Sequence, residues 1–257
     1  MTGLPLKFAW RYLFARKSYN VINLISGIGV AGMAIGTAAL IIILSVFNGF
    51  NSIVQSSMAD ARADIQLLPS EGKVFVPDSA TFAKVIDDER VVRLSSVLED
   101  QVFISYEGRQ TLARAKGVDE AAEEESSLME HIVSGQWQLH KGDMPMAVAG
   151  ASLAGSIGAN PRFVTPLEVF YPSRTKSISL ANPAASLRSG KLRLSGIFSV
   201  SADIDARLVI VPIEFMRDLL QYQNEVSSLE IWTAPGESSV LVKELQEHLG
   251  PSFRVLD

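Results

Sequence analysis

Asp203 and Asp205, one residue apart, are the carboxylates whose spacing comes nearest to a general acid–base pair. Alternate acids in a short polar loop more commonly make turns and salt bridges, so no catalytic residue is assigned here. His131, His140 and His248 lie far apart without H-x-x-x-H spacing, and cysteine is absent. Neither a metal site nor a disulfide framework is expected. The acidic run Glu120 to Glu125 reads as a solvated surface helix or loop. Gly27-Ile-Gly29-Val-Ala-Gly32 spells G-x-G-x-x-G, yet no strand precedes it and no acid follows at the required distance of about 20 residues. Gly72-Lys73 and Gly190-Lys191 lack the upstream glycine and the hydroxyl of a phosphate loop, and no G-x-S-x-G elbow is present. The chain is therefore expected to be a non-catalytic protein without a cofactor; any ATP hydrolysis would belong to a separate subunit.

The dominant element is a stretch without charge. Residues 18–59 contain no Asp, Glu, Lys or Arg, and Ile25 to Phe47 holds nothing more polar than Ser26, Thr37 and Ser45. A hydrocarbon core of about 30 Å takes roughly 20 helical residues, and a lone span must be helical because lipid offers its backbone no partner. Lys7, Arg11, Arg16 and Lys17 precede the span with no acid before Asp60, which puts the N-terminus in the cytoplasm and the rest across the membrane. A cleaved signal peptide would share the basic start, but its apolar region runs only about 7–15 residues. Leu4 to Ala15 mixes Lys7 and Arg11 with aromatic residues, as an interfacial elbow would. Gly32 and Gly36 form a G-x-x-x-G step on which a second helix could pack.

Beyond the span, hydrophobic periodicity predicts an α+β domain. Strands are expected over 63–68, 91–98, 101–106 and 109–118, with a helix capped by Ser79 over 79–86 and a turn at Glu107-Gly108. Further strands fall at 146–149, 167–171, 192–200, 207–211, 228–233 and 253–256, with helices over 151–157, 213–222 and 238–249. Strand and helix alternate at both ends, so one α/β lobe is expected from 51–119 with 196–257, carrying 120–195 as an inserted β-rich lobe. The elbow occupies 1–20 and the membrane helix 21–50. The net charge is −5 with four cations already spent at the cytoplasmic edge, so no nucleic-acid surface is expected. Against that acidic background, Ser173 to Gly190 carries Arg174, Lys176 and Arg188, no acid, and Pro183 near its centre. It reads as a projecting hairpin suited to an acidic partner.

The motifs Ala9-x-Arg11-Tyr12-Leu13, Asn23-x-Ile25-Ser26-Gly27-Ile28 and Leu44-Ser45-Val46-Phe47-Asn48-Gly49-Phe50 resemble the first membrane helix of the lipoprotein-releasing, Lol-type permeases of the MacB/FtsX-like superfamily. Glu71-Gly72-Lys73-Val74-Phe75, and Ser195-Gly196-Ile197-Phe198 through Asp203-Ile204-Asp205, also look like members of that family. The resemblance implies an inner-membrane subunit with a two-lobed, MacB-like periplasmic domain, paired with a second permease and a cytoplasmic ABC ATPase. It would extract lipoproteins and pass them to a periplasmic carrier. It implies that 173–190 is a carrier-binding hook, with Leu180, Asn182 and Pro183 at the tip and Arg174 and Arg188 as supports. Leu40, Ile43, Val46, Phe47 and Phe50 would face membrane lipid or the lipoprotein's acyl chains. Such permeases carry three further membrane helices, so the chain resembles their N-terminal part. A MacB-like efflux permease and an FtsX-like regulator of a cell-wall hydrolase are the alternative readings.

Overall fold

The computed structural model describes residues 7, 8, 11, 21–59, 63–174, 186–234 and 236–256. It divides into two units, Met1–Ser56 and Ser57–Asp257. The first is dominated by helix α1, Val21–Ala59. Its segment Leu24–Gly49 is 26 residues long, or about 39 Å at 1.5 Å per residue, which is long and apolar enough to cross a membrane. Its side chains are exposed, Leu40 at 62% and Phe47 at 59%. Thr37 donates its hydroxyl to the Met33 carbonyl at 2.8 Å, which satisfies the polar group without an outside partner.

Among the described residues, the second unit is an eleven-stranded sheet with helices against it. In chain order it runs β1 (Ile65–Pro69), α2 (Ser79–Ile86), β2 (Val91–Tyr106), β3 (Arg109–Val118), α3 (Glu120–Glu124), β4 (Ile132–Gly135), β5 (His140–Lys141), β6 (Met144–Gly150) and α4 (Ala151–Ile157). It continues with β7 (Leu167–Pro172), β8 (Leu187–Phe198), α5 (Ala202–Asp205), β9 (Leu208–Pro212), α6 (Ile213–Leu220), β10 (Ser228–Thr233), α7 (Ser238–Leu249) and β11 (Phe253–Leu256). The sheet path is β11-β1-β10-β2-β3-β9-β6-β8-β4, with β5 on β6 and β7 bridging β2 and β8. Because β7 pairs with both, β2-β3-β9-β6-β8-β7 closes into a ring of six strands. Strands from 120–195 are thus hydrogen-bonded into the same sheet as those from the two ends.

One buried cluster joins Ile65, Leu98, Ile104, Val169, Leu192, Val209 and Ile231 to the helices. A smaller one, on Leu128, Leu139, Val148, Phe198 and Ile210, lies under the segment after β3. Helix α6 touches five of the ring strands, β2, β3, β7, β8 and β9, and buries Ile213, Met216, Leu219 and Leu220. Each such side chain contributes roughly 1.5–3 kcal/mol on burial. The helix lies so close that a Cβ on Gly190 of β8 would sit 2.5 Å from the Phe215 ring.

Four expectations shift. The helix over 79–86 forms, but its cap is Asp78, whose carboxylate accepts from the Thr81 N–H at 2.8 Å. The expected strands 91–98 and 101–106 are one strand, because the polar pair between them is partnered from neighbouring segments. The Glu99 N–H donates to Ser227 Oγ at 2.9 Å, and Asp100 accepts from the Tyr171 hydroxyl. At this point β2 exchanges one edge neighbour, β10, for another, β7. Asp203 and Asp205 lie in the one-turn helix α5, not a loop, with the Ser201 side chain accepting from the Ile204 N–H. Finally, β8 starts at Leu187 rather than 192, so Arg188 sits on a strand.

Candidate functional site

The expected hairpin has a well-built root. Strands β7 and β8 pair antiparallel from Leu167↔Leu192 to Pro172↔Leu187, and the Ser173 N–H extends the ladder to the Ser186 carbonyl at 2.8 Å. Leu180, Asn182 and Pro183, the expected tip, lie outside the described residues.

The last turn of α6 receives this root. Gln221 follows it in the left-handed region at φ 59°, a conformation uncommon for a residue with a Cβ. Its side-chain oxygen accepts the Arg174 N–H at 3.0 Å and the Ser173 hydroxyl at 3.2 Å. Backbone strain of this kind persists where surrounding contacts hold it. The Arg174 guanidinium lies 4.2 Å from the Tyr222 ring centroid, a cation–π contact of about 0.5–1 kcal/mol at an exposed site. Arg188 reaches Asp218 at 3.3 Å, with the Asp218 side chain 85% exposed, so this pair contributes about 0–1 kcal/mol. Three residues further along β8, Lys191 pairs with Glu168 at 3.0 Å.

Tyr171, opposite Arg188, ties the root to β2. Its hydroxyl donates to Asp100 at 2.8 Å, and Lys73 stands 3.4 Å from the same carboxylate. Burial foremost, and then the bond to Asp100, push the Tyr171 phenol up to about 12. The two arginines expected as supports both lie at the root, Arg188 directed at Asp218 of α6 and Arg174 at Tyr222 just past its cap. The residues that hold them, Asp218, Gln221 and Tyr222, were not singled out by sequence reasoning. They lie 30 to 48 positions from their partners, and no local signal marks such a pairing.

The remaining assigned residues lie on α1. Gly32 and Gly36 have no atom within 4 Å of where a Cβ would stand, and Leu40, Ile43, Val46 and Phe47 are exposed. Positions 32, 36, 40, 43 and 47 follow four- and three-residue steps, so Gly32, Gly36, Leu40, Ile43 and Phe47 share one helix face. The carboxylates once weighed for catalysis are structural. Asp205 is buried and accepts from Ser199 Oγ at 2.8 Å and the Val200 N–H at 2.9 Å, while Asp203 pairs with Arg207 at 2.7 Å. In the acidic run, Glu123 accepts from the Leu139 N–H and meets His140 Nδ1 at 2.7 Å.

Several known proteins are similar to this chain. The MacB-like periplasmic core domain matches residues 26–248. The lipoprotein-releasing system transmembrane protein LolC of Neisseria meningitidis serogroup B is 22% identical over an alignment covering 96% of this chain and 59% of LolC. The chain thus spans about three-fifths of the length of this curated relative. Two solved structures share the fold. The extracellular domain of the noncanonic ABC-type transporter YknZ from Gram-positive bacteria has a TM-score of 0.51 at 9% identity, covering 75% of this chain and 99% of its own. The periplasmic region of MacB from Actinobacillus actinomycetemcomitans has a TM-score of 0.50 at 11% identity, covering 75% of this chain and 87% of its own. With 26–248 of its 257 residues inside that match, the chain belongs to the family of the MacB-like periplasmic core domain.

Proposed function

We propose that this chain is the membrane-anchored, extracytoplasmic part of an ABC-transporter permease that releases lipoproteins from the inner membrane and hands them to a periplasmic carrier. In this reading the N-terminus is cytoplasmic, α1 spans the membrane, and the sheet domain lies in the periplasm as two lobes, 51–119 with 196–257 and an inserted 120–195. A separate cytoplasmic ATPase supplies the energy and a second permease completes the membrane unit across Gly32 and Gly36. Leu40, Ile43, Val46, Phe47 and Phe50 wall the path of the acyl chains. The hairpin over 173–190 engages the carrier, with Leu180, Asn182 and Pro183 at its tip.

The single observation that carries the reading is the braced root. A docking arm must hold its tip in place before the partner arrives, because ordering it on contact subtracts from affinity. Tyr171, Arg174 and Arg188 fix both strands of the hairpin to α6 and β2. The likeness to LolC supports the same reading.

The test is site-specific photo-crosslinking in cells from position 183. An adduct with the lipoprotein carrier is expected. Adducts with an adaptor of an efflux duct, or with a cell-wall hydrolase activator, would replace this reading with the MacB-like or FtsX-like one.

A further inference from the structure

A second cluster of cations shares β8 with the hairpin root and differs from it in having no ion-pair partner among the described residues. Lys141 ends β5, Arg162 follows the Asn160 turn, whose side chain accepts the Arg162 N–H at 3.0 Å, and Arg193 stands on β8. The three line one groove of about 470 Å³ together with Val133, Gln136 and Gln138. No acid lines it, and none of the three cations is ion-paired among the described residues. In a chain of net charge −5, a groove lined by three cations is a local reversal of sign.

The groove is rigidly floored. The Gln136 N–H donates to the Ser195 carbonyl at 2.9 Å, and Ser195 Oγ lies 2.6 Å from the Gln138 carbonyl. The Met146 N–H donates to the Leu139 carbonyl at 2.7 Å, so the loop carrying both glutamines is stitched to two strands. One wall is β4, which ends the sheet path and pairs with β8 on one side only among the described residues. Its Val133 is 62% exposed. The volume falls within the range of about 300–1,000 Å³ that takes a drug-sized ligand or several side chains.

We propose that this groove binds an acidic, extended segment of a partner polypeptide, with its carboxylates on Lys141, Arg162 and Arg193. Charge complementarity names the partner's chemistry. The glutamine amides and the end strand with its exposed valine favour a polypeptide over a bare anion, because they match backbone groups and an apolar side chain. The groove is lined by none of the residues that brace the hairpin and stands whether or not the hairpin engages a carrier.

The experiment uses the full chain in nanodiscs of zwitterionic lipid and follows anisotropy of a labelled, glutamate-rich extended peptide at low and moderate salt. Binding is expected, weakening steeply with salt, and falling about tenfold or more in Arg162→Glu with Arg193→Glu. Lys243→Glu on α7, outside the groove, should leave it unchanged. Arg162→Gln with Arg193→Gln should reproduce the loss with an unaltered thermal melt. Unchanged affinity in both double variants would overturn the proposal, as would an equal loss in Lys243→Glu, which would indicate the overall field alone. Groove-dependent capture of anionic vesicles or inorganic phosphate without peptide binding would also overturn it and assign the site to phosphate chemistry.

Discussion

The hairpin root and the β4–β8 groove use the same residue types in opposite ways. At the root, Arg174, Arg188 and Lys191 each face an aromatic ring or a carboxylate of their own chain. In the groove, Lys141, Arg162 and Arg193 line a cavity without an acid. A cation paired within its own chain is a brace, and its removal loosens the part it holds. A cation left facing a cavity contributes little to folding and is available to a partner. The basic residues along 173–190 suggested a surface for an acidic partner, and Arg174 and Arg188, expected there as supports, face Tyr222 and Asp218 of their own chain.

The contrast can be broken or sharpened by substitution, and the largest effect is expected where α6 meets the root. Gly190→Val places side-chain carbons on the Phe215 ring and should cost about 1–3 kcal/mol of domain stability, read by chemical denaturation. Tyr171→Phe removes the bond to Asp100 and should cost about 0.5–1.5 kcal/mol. The sign of the accompanying pH effect follows from the raised phenol. The folded state holds the proton more tightly than the unfolded chain, so the contribution is complete below about pH 10 and is lost as pH rises through about 12. An alkaline loss of stability that persists unchanged in Tyr171→Phe would refute this link.

These elements differ in how far they were legible in advance. The turn at Glu107-Gly108 was readable because both residues adopt positive φ, 47° and 81°, which a two-residue hairpin loop demands of its local sequence. The uncharged helix was readable from composition alone. The join at Glu99-Asp100 was not, because two adjacent acids resemble a break until Ser227 and Tyr171 arrive from other strands. The start of β8 at Leu187 was hidden for a similar reason. Its first residues alternate weakly, and their strand state depends on β7 beside them. The root and the groove are both products of such long-range pairing, so periodicity reports neither.

Smaller effects probe the cations directly. Arg174→Ala removes the stack on Tyr222 and should cost about 0.5–1 kcal/mol, with faster proteolysis within the hairpin as the more sensitive readout. Smallest of all, Lys141→Ala, Arg162→Ala and Arg193→Ala should each leave stability within about 0.5 kcal/mol of the parent. A larger loss at any of the three would mean that the groove cations are braces too, and the distinction between the regions would fail.

The proposed docking of the hairpin tip on a lipoprotein carrier is read most directly from carrier affinity for the full chain with and without Pro183→Gly. Pro183→Gly should weaken binding by about tenfold or more, while Arg162→Glu with Arg193→Glu should leave it intact. Equal affinity for the parent and Pro183→Gly chains would contradict the proposed docking.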